Sequence, residues 1–327
     1  MSRRTNYQWI KGVCEIMKVR ELFETQAPTY TGYIKVPEDW KDLSGLPELY
    51  PGYTAGCKLI GDFVCEYCIN LTSLEGAPQS VSGYFDCREC KSLTSLKGAP
   101  QEVGDFYCCD CTSLTSLEGA PQSVSGYFDC HRCTSLMSLK GAPMTVGGFS
   151  CYGCQYLTSL EGAPIQVGGN FSCRKCTSLT SLEGAPQEVG GDFNCYGCTS
   201  LTSLKGAPQK VNAFGCHNCT SLTSLEGAPQ EVDHDFDCSE CTSLTSLKGI
   251  GKQYLKKCHG KLILNYCENL KSHMLGILLI KDLHSLSFQY MNQKAGVIIQ
   301  KHLDGDRDIL ECQEELITNG LKEYAKL

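Results

Sequence analysis

The stretch FNCYGCTSLTSLKGAPQ, residues 193–209, contains a CxxC pair followed by two leucines, each three residues after the last. The chain carries nine such pairs, and their first cysteines are Cys65, Cys87, Cys108, Cys130, Cys151, Cys173, Cys195, Cys216 and Cys238. Successive first cysteines are 21 or 22 residues apart. A fixed period of this length indicates a solenoid, in which each repeat forms one turn and packs on its neighbours.

The aligned repeats read V-x(2–3)-F-x-C-x-x-C-x-x-L-x-x-L-E/K-G-A-P. Phe and the first Cys are two residues apart, so on an extended strand both side chains point to the same face. The second Cys and the two Leu follow at steps of three, which suits a curving turn with one inward residue per bend. The one-residue variation falls just before Phe, where we expect a loop to absorb it.

This pattern resembles the leucine-rich repeat, with Val, Phe and Cys in the first apolar slots and Cys where Asn often stands. The resemblance implies a solenoid of about eleven turns, with a parallel β-sheet on its concave face and irregular turns on its convex face. The short period is similar to the bacterial short-repeat class, found in secreted effectors that bind host proteins. The wording LTSLEGAP is also similar to repeat proteins encoded by large tailed bacteriophages.

Three regions follow from where the pattern fades. We assign residues 34–288 to the solenoid, whose weaker end turns contain Ile34 and Val36 before the regular array and Leu262, Leu264 and Cys267 after it. Apolar residues at helical spacing predict an N-terminal helical cap over residues 1–33. The segment DRDILECQEELI predicts a helix in a C-terminal cap over residues 289–327. A solenoid needs such caps because its end turns otherwise expose core and sheet edge.

The 24 cysteines allow several interpretations. CxxC pairs at this spacing are compatible with zinc ribbons, and a zinc, iron–sulfur, disulfide or redox role stays open as a minor alternative. Nine copies in register with Phe and Leu favour two buried columns of free thiols instead, because Cys behaves as a small apolar residue. We therefore predict no metal and no cofactor. Cys109, outside the pair pattern, is expected to face outward and to react readily.

Composition limits the partners. The net charge of −7 provides no general attraction to nucleic acid or anionic lipid, and the longest apolar run, residues 274–280, is too short to span a bilayer. The N-terminal residues lack the apolar core of a signal peptide. We expect reduced thiols and a cytoplasmic location, in the host bacterial cytosol if the phage resemblance holds.

Outward strand positions differ from turn to turn, whereas the framework barely changes. Tyr and Arg recur at these positions, and both residue types are enriched in binding hot spots. The alternative is a solvated surface without a partner. We predict a binding site on the concave face formed by Tyr84, Arg88, Tyr107, Tyr127, His131, Arg132, Tyr152, Arg174, Asn194, Tyr196 and His217.

A second column carries alternating charge. The residue before the GAP motif or its equivalent is Glu75, Lys97, Glu118, Lys140, Glu161, Glu183, Lys205, Glu226 or Lys248. Opposite charges one strand spacing apart attract weakly, so we assign this column to stability.

No catalytic motif stands out: the sequence has no nucleophile with a base at a recognisable spacing, no phosphate-binding glycine loop and no HExxH. We predict a non-catalytic scaffold that binds a protein, with a host protein as the target implied by the phage resemblance. The alternatives are a virion or assembly component, and a zinc-binding or redox-responsive protein. The oligomeric state is left open.

Overall fold

A computed structural model describes residues 27–289 and 293–327. Most of the predicted N-terminal cap lies outside the described residues. The described chain winds into a parallel β-solenoid of about ten turns of some 22 residues, close to the eleven turns predicted. Most of the strands join one 16-stranded sheet, and a second sheet of three strands continues beside it.

The strands are short because the chain must bend twice in every turn. They are β1 Thr29–Thr31, β2 Ile34–Lys35, β3 Lys58–Ile60, β4 Phe63–Val64, β5 Ser80–Asp86, β6 Glu102–Tyr107, β7 Ser123–Asp129, β8 Thr145–Ser150, β9 Gln166–Val167, β10 Phe171–Ser172, β11 Glu188–Val189, β12 Phe193–Asn194, β13 Lys210–Val211, β14 Phe214–Gly215, β15 Glu231–Val232, β16 Phe236–Asp237, β17 Lys257–Cys258, β18 Lys261–Ile263 and β19 Ser285–Ser287. The helices are α1 Leu46–Leu49, a 3₁₀ helix at Met274–Leu279, α2 Gln293–Asp304 and α3 Ile309–Thr318.

The register places equivalent repeat residues on top of one another. Phe171 pairs with Phe149 on one side and with Phe193 on the other. The weak end turns follow the same rule, since Ile34 pairs with Phe63 and Leu262 with Phe236. The residues aligned as equivalent in the sequence are therefore the residues that pair between adjacent turns of the solenoid.

The spacing between Val and Phe varies by one residue, and we expected a loop to accommodate this variation, but several turns have a continuous strand there instead. In β5 to β8 one continuous strand carries both residues, and the ladder shifts register between Val81 and Tyr84 and between Val103 and Phe106. The extra residue is thus a bulge inside the strand in these turns. From β9 onward the strand divides into two short pieces, as a loop would require.

The core is a set of stacked columns. Nine phenylalanine rings from Phe63 to Phe236 lie nearly parallel, with neighbouring centroids 4.8–5.4 Å apart. The cysteines of the pairs and the two leucines of each turn are buried beside them. Stacked rings and thiols fill the narrow interior, and burial of this apolar surface is the main stabilising force.

Each turn bends at two left-handed positions. The first is the second residue after the leading Cys, where φ is between 54° and 71° whether the residue is Glu89, Arg132, Lys175 or Gly197. The second is the glycine of the GAP motif. A Cβ added to Gly98 would lie 2.5 Å from the backbone nitrogen of Glu75, so this position needs glycine for contact with the preceding turn as well as for its φ.

The two C-terminal helices lie against the last turn. Helix α2 contacts β19 and the 3₁₀ helix, and Gln300 of α2 accepts a hydrogen bond of 2.8 Å from the backbone N–H of Leu286. Helix α3 begins after Asp308, whose carboxylate accepts from the N–H groups of Leu310 and Glu311. The helix predicted in DRDILECQEELI is present as α3, which begins at Ile309, so the first three residues of this segment precede it.

The alternating charge column forms ion pairs between turns. Lys97 lies 3.2 Å from Glu75, Lys140 3.4 Å from Glu118 and Lys205 2.8 Å from Glu183. These side chains are largely exposed, so each pair contributes little and the column mainly supports register.

Candidate functional site

The variable outward positions share one face of the strands. The residue before Phe, the residue between Phe and Cys and the residue after the first Cys alternate with the buried Phe and Cys, so they project away from the core. At the end of the strand, His131, Tyr152, Arg174, Tyr196 and His217 come from five consecutive turns. They form a column of four rings with the Arg174 guanidinium at its centre.

Ring and cation contacts link this column. The rings of His131 and Tyr152 are 6.3 Å apart, and the Arg174 guanidinium lies 5.9 Å from the Tyr152 ring and 5.1 Å from the Tyr196 ring. The Tyr196 and His217 rings stack at 4.0 Å. Arg174 is thus held between two tyrosine rings, which orients its planar group.

Two further cations reach the same rings from the left-handed turn position. Arg132 lies 5.9 Å from the Tyr152 ring, and Lys175 lies 5.8 Å from the rings of both Tyr152 and Tyr196. The sequence prediction included Arg132 but not Lys175, which stands at the equivalent position two turns later. Among the described residues, the ion pairs near this column involve other side chains, and Arg132, Arg174 and Lys175 form none.

Several of these groups, together with Asp192, line a surface depression of about 580 Å³. Six predicted residues line it, namely Tyr127, His131, Arg132, Tyr152, Arg174 and Asn194. We call the surface formed by these six residues together with Lys175 and Tyr196 the Tyr152 face. His217 continues its column beyond the depression.

The other three predicted residues form a separate cluster. Arg88 lies 5.8 Å from the Tyr107 ring, and the rings of Tyr84 and Tyr107 are 6.3 Å apart. Here the cation is neutralised: Arg88 binds Asp86 at 2.6 Å and Glu66 at 3.1 Å. The Asp86 hydrogen bond raises the pKa of Arg88. The cluster therefore differs in charge from the Tyr152 face.

The residue between Phe and Cys has a structural role that the sequence reasoning missed. The side chains of Asp86, Asp129, Asn194 and Asp237 each accept a hydrogen bond from the backbone N–H two residues later, at 2.9–3.0 Å. Asp, Asn and Ser fill most of this column, which is the composition of an Asx or Ser/Thr turn. Asn194, predicted to bind a partner, therefore also fixes the backbone of Tyr196.

The expectation for Cys109 is wrong. Its side chain is only 1% exposed, because Asp129 and His131 of the next turn lie against it. Its thiol donates to the Asp129 carbonyl at 3.6 Å, and burial raises its pKa. An outward strand position is covered here by neighbours on the adjacent turn, so Cys109 is not a readily reactive thiol.

Except in the first pair, where Cys68 donates to the carbonyl of Pro37, the second cysteine of each pair makes a specific contact. Its thiol donates to the backbone carbonyl of the first cysteine of the preceding turn, as from Cys90 to Cys65 at 3.0 Å and from Cys176 to Cys151 at 3.2 Å. The same contact recurs at Cys111, Cys133, Cys154, Cys198, Cys219, Cys241 and Cys267. These thiols form a ladder of hydrogen bonds along the coil.

The first cysteines are fully buried, and burial raises the pKa of thiols such as Cys65, Cys87 and Cys195 well above the ordinary range. All 23 described cysteines are free of disulfides, and Cys14 lies outside the described residues. Two groups of three potential ligands converge among the described residues, Cys109 with Asp129 and His131, and His302 with Asp306 and Glu311. Neither group contains a CxxC pair.

A second groove, of about 640 Å³, runs along the Val strands and was not predicted. Its lining includes Gln166, Gly168, Glu188, Gly190 and Lys210. The glycine pairs mark it in the sequence, because they leave the strand surface without side chains. Its polar groups pair with one another, as Gln166 does with Glu188 at 2.7 Å.

Comparison with known proteins leaves the site to be interpreted on its own geometry. No family model, no curated protein and no solved structure matches the chain. In the described residues, no helix has the length and apolar character needed to cross a bilayer.

Proposed function

We propose that the protein is a non-catalytic scaffold that binds another protein through the Tyr152 face. The observation that supports this most is the gathering of Arg132, Arg174 and Lys175, without ion-pair partners among the described residues, around the rings of Tyr152 and Tyr196. Tyr and Arg dominate binding hot spots, and contacts with the rings restrict the rotamers of the cations before a partner arrives.

The partner we propose presents an acidic segment to this face. The chain as a whole has a net charge of −7, yet Arg132, Arg174 and Lys175 lie together here without an ion-pair partner in the part of the chain that the structure describes. Like charges placed close to one another repel, and a carboxylate-bearing partner relieves this repulsion. Binding of this kind weakens as salt increases.

The fold supports a narrower family proposal. The 21- to 22-residue period and the stacked framework fit a leucine-rich-repeat protein of the short bacterial type, with the Tyr152 face on its concave side. We further propose that α2 and α3 cap the coil, since Gln300 satisfies the edge strand at Leu286. If the resemblance to phage repeat proteins holds, the target is a host protein in the bacterial cytosol.

Charge-matched variants test the binding proposal. The variant Arg132→Ala/Arg174→Ala/Lys175→Ala removes the cations of the Tyr152 face, and Lys97→Ala/Lys140→Ala/Lys205→Ala removes three exposed cations of the charge column. The wild type and the second variant should capture the same partner from a lysate of the producing cells, identified by mass spectrometry. The first variant should lose it. Equal capture by all three proteins would contradict the proposal.

A further inference from the structure

The extra cysteine of the repeat array lies in a cluster of metal-binding side chains. Cys109 takes the place that Arg88 occupies one turn before and His131 one turn after. One ligand atom each from Cys109, Asp129 and His131 lies within 4.8 Å of the others. The three residues come from two adjacent turns whose register is set by the ladder between β6 and β7.

We propose that Cys109, Asp129 and His131 bind a zinc-type divalent cation. Thiolate, imidazole and carboxylate are the three ligand types of protein zinc sites, whereas Mg²⁺ and Ca²⁺ prefer oxygen alone. Zinc–ligand bonds of about 2.0–2.3 Å place ligand atoms roughly 3.5 Å apart, so small side-chain adjustments close the site. Three protein ligands leave a fourth position for water or for a side chain of a bound molecule.

A fourth side chain orients the histidine. The Nδ1 atom of His131 lies 2.9 Å from Asp129, and its Nε2 atom lies 3.4 Å from Asp110. When Nδ1 binds the metal, Nε2–H is free to donate to Asp110. A ligating histidine that donates its other N–H to a carboxylate is the usual arrangement in zinc proteins.

Two carboxylates, Asp110 and Asp129, lie next to the His131 imidazole, and the neighbouring Arg132 opposes their charge in part. When the metal binds, the Cys109 thiol releases its proton to solvent and binds as thiolate. This site is separate from the CxxC columns. To bind the metal, the Cys109 thiol gives up its contact of 3.6 Å with the Asp129 carbonyl. His131 also belongs to the Tyr152 face, but metal binding does not require a protein partner.

Cobalt substitution tests the site on the full chain. Reduced protein treated with a chelator and then freed of it is titrated with Co²⁺, and thiolate coordination is followed by its charge-transfer absorption. We expect one Co²⁺ per chain, displaced by an equivalent of Zn²⁺. Cys109→Ser should abolish the band. Asp110→Asn should weaken Co²⁺ binding by about 10-fold or more, as expected for loss of an orienting carboxylate.

Because Cys109 is buried, its variant can fail to fold, so His131→Ala provides the second test at a partly exposed position. Both variants are checked by circular dichroism. His131→Ala should lose stoichiometric Co²⁺ binding. His217→Ala should bind like the wild type, because the preceding turn carries Tyr196 at the position where Cys109 precedes His131. Two results would overturn the proposal: absence of the charge-transfer band in the wild-type protein, or a folded His131→Ala variant whose Co²⁺ titration has the same midpoint as that of the wild type.

Discussion

The thiol ladder makes a sharp prediction at Cys176, in the middle of the array. Its Sγ atom lies 3.2 Å from the carbonyl oxygen of Cys151, which also accepts the N–H of Cys154. In Cys176→Ala the carbonyl loses one of these two donors, and the buried position loses its sulfur. In Cys176→Ser a donor remains at the same place.

The magnitudes follow from these contacts. Loss of the hydrogen bond costs about 0.5–1.5 kcal/mol, and loss of a buried atom the size of a methylene costs about 0.8 kcal/mol before the cavity is counted. We expect Cys176→Ala to lower the free energy of unfolding by about 2 kcal/mol. Cys176→Ser should cost less than this, because its hydroxyl reaches the same carbonyl.

If the thiol were only an apolar filler, the order would reverse. A buried hydroxyl without a useful partner costs about 1–3 kcal/mol, so Ser would then be worse than Ala. Urea unfolding under reducing conditions, followed by circular dichroism, measures both variants against the wild type at comparable m values. Cys198, whose thiol lies 3.1 Å from the Cys173 carbonyl, allows the same pair of variants as a replicate. A lower free energy of unfolding for the Ser variant than for the Ala variant, at both Cys176 and Cys198, would refute the hydrogen-bond ladder.

Three further predictions concern stability. Phe171→Ala should lower the free energy of unfolding by about 3–5 kcal/mol in urea, because it removes the ring between Phe149 and Phe193; a loss below 1 kcal/mol would contradict the stacked core. Gly52 and Gly98 both have φ of 91°, but only Gly98 faces a neighbouring backbone, so Gly98→Ala should lower the thermal midpoint more than Gly52→Ala; equal shifts would remove the argument from close approach. Burial raises the pKa of the first cysteines, so as pH rises their thiols ionise in the unfolded chain before they ionise in the folded protein. The free energy of unfolding should therefore be fully present below about pH 8.5 and should fall as pH rises above it. Urea midpoints that stay level from about pH 7.5 to 9.5 would contradict this.

The framework of the fold could be predicted from the sequence because it repeats. Phe, Cys and Leu at fixed spacing identify the inward columns, and even the weak turn at Leu262 pairs in the expected register with Phe236. The same apolar residue type at the same position in nine repeats indicates that this position is buried. A substitution in one repeat does not obscure the pattern.

The left-handed backbone conformation in each turn could not be predicted from the sequence. The left-handed position holds Glu89, Arg132 and Lys175 as readily as Gly197, because the neighbouring turns impose the bend whatever the residue. No residue type marks it. The Asp, Asn and Ser residues of its column indicate the hydrogen-bonding role of Asn194, but its outward position led to the prediction of a binding role.

The sequence predicted which outward residues recur along the coil, but it did not predict which of them lie together in one site. The sequence does not distinguish Arg88, which two carboxylates neutralise, from Arg174, which lies between two tyrosine rings. That difference depends on which side chains the adjacent turns supply. Cys109 was misjudged for the same reason, since its cover comes from the next turn.

The most direct test of the proposed function places a photo-crosslinking amino acid at position 152 and, as a control, at the exposed position 118. Both proteins are irradiated in the cells that produce them, and the products are identified by mass spectrometry. The account predicts that position 152 crosslinks to one protein through a segment rich in Asp or Glu, and that position 118 does not. Crosslinking of that protein from position 118 alone, or no crosslink from position 152, would contradict it.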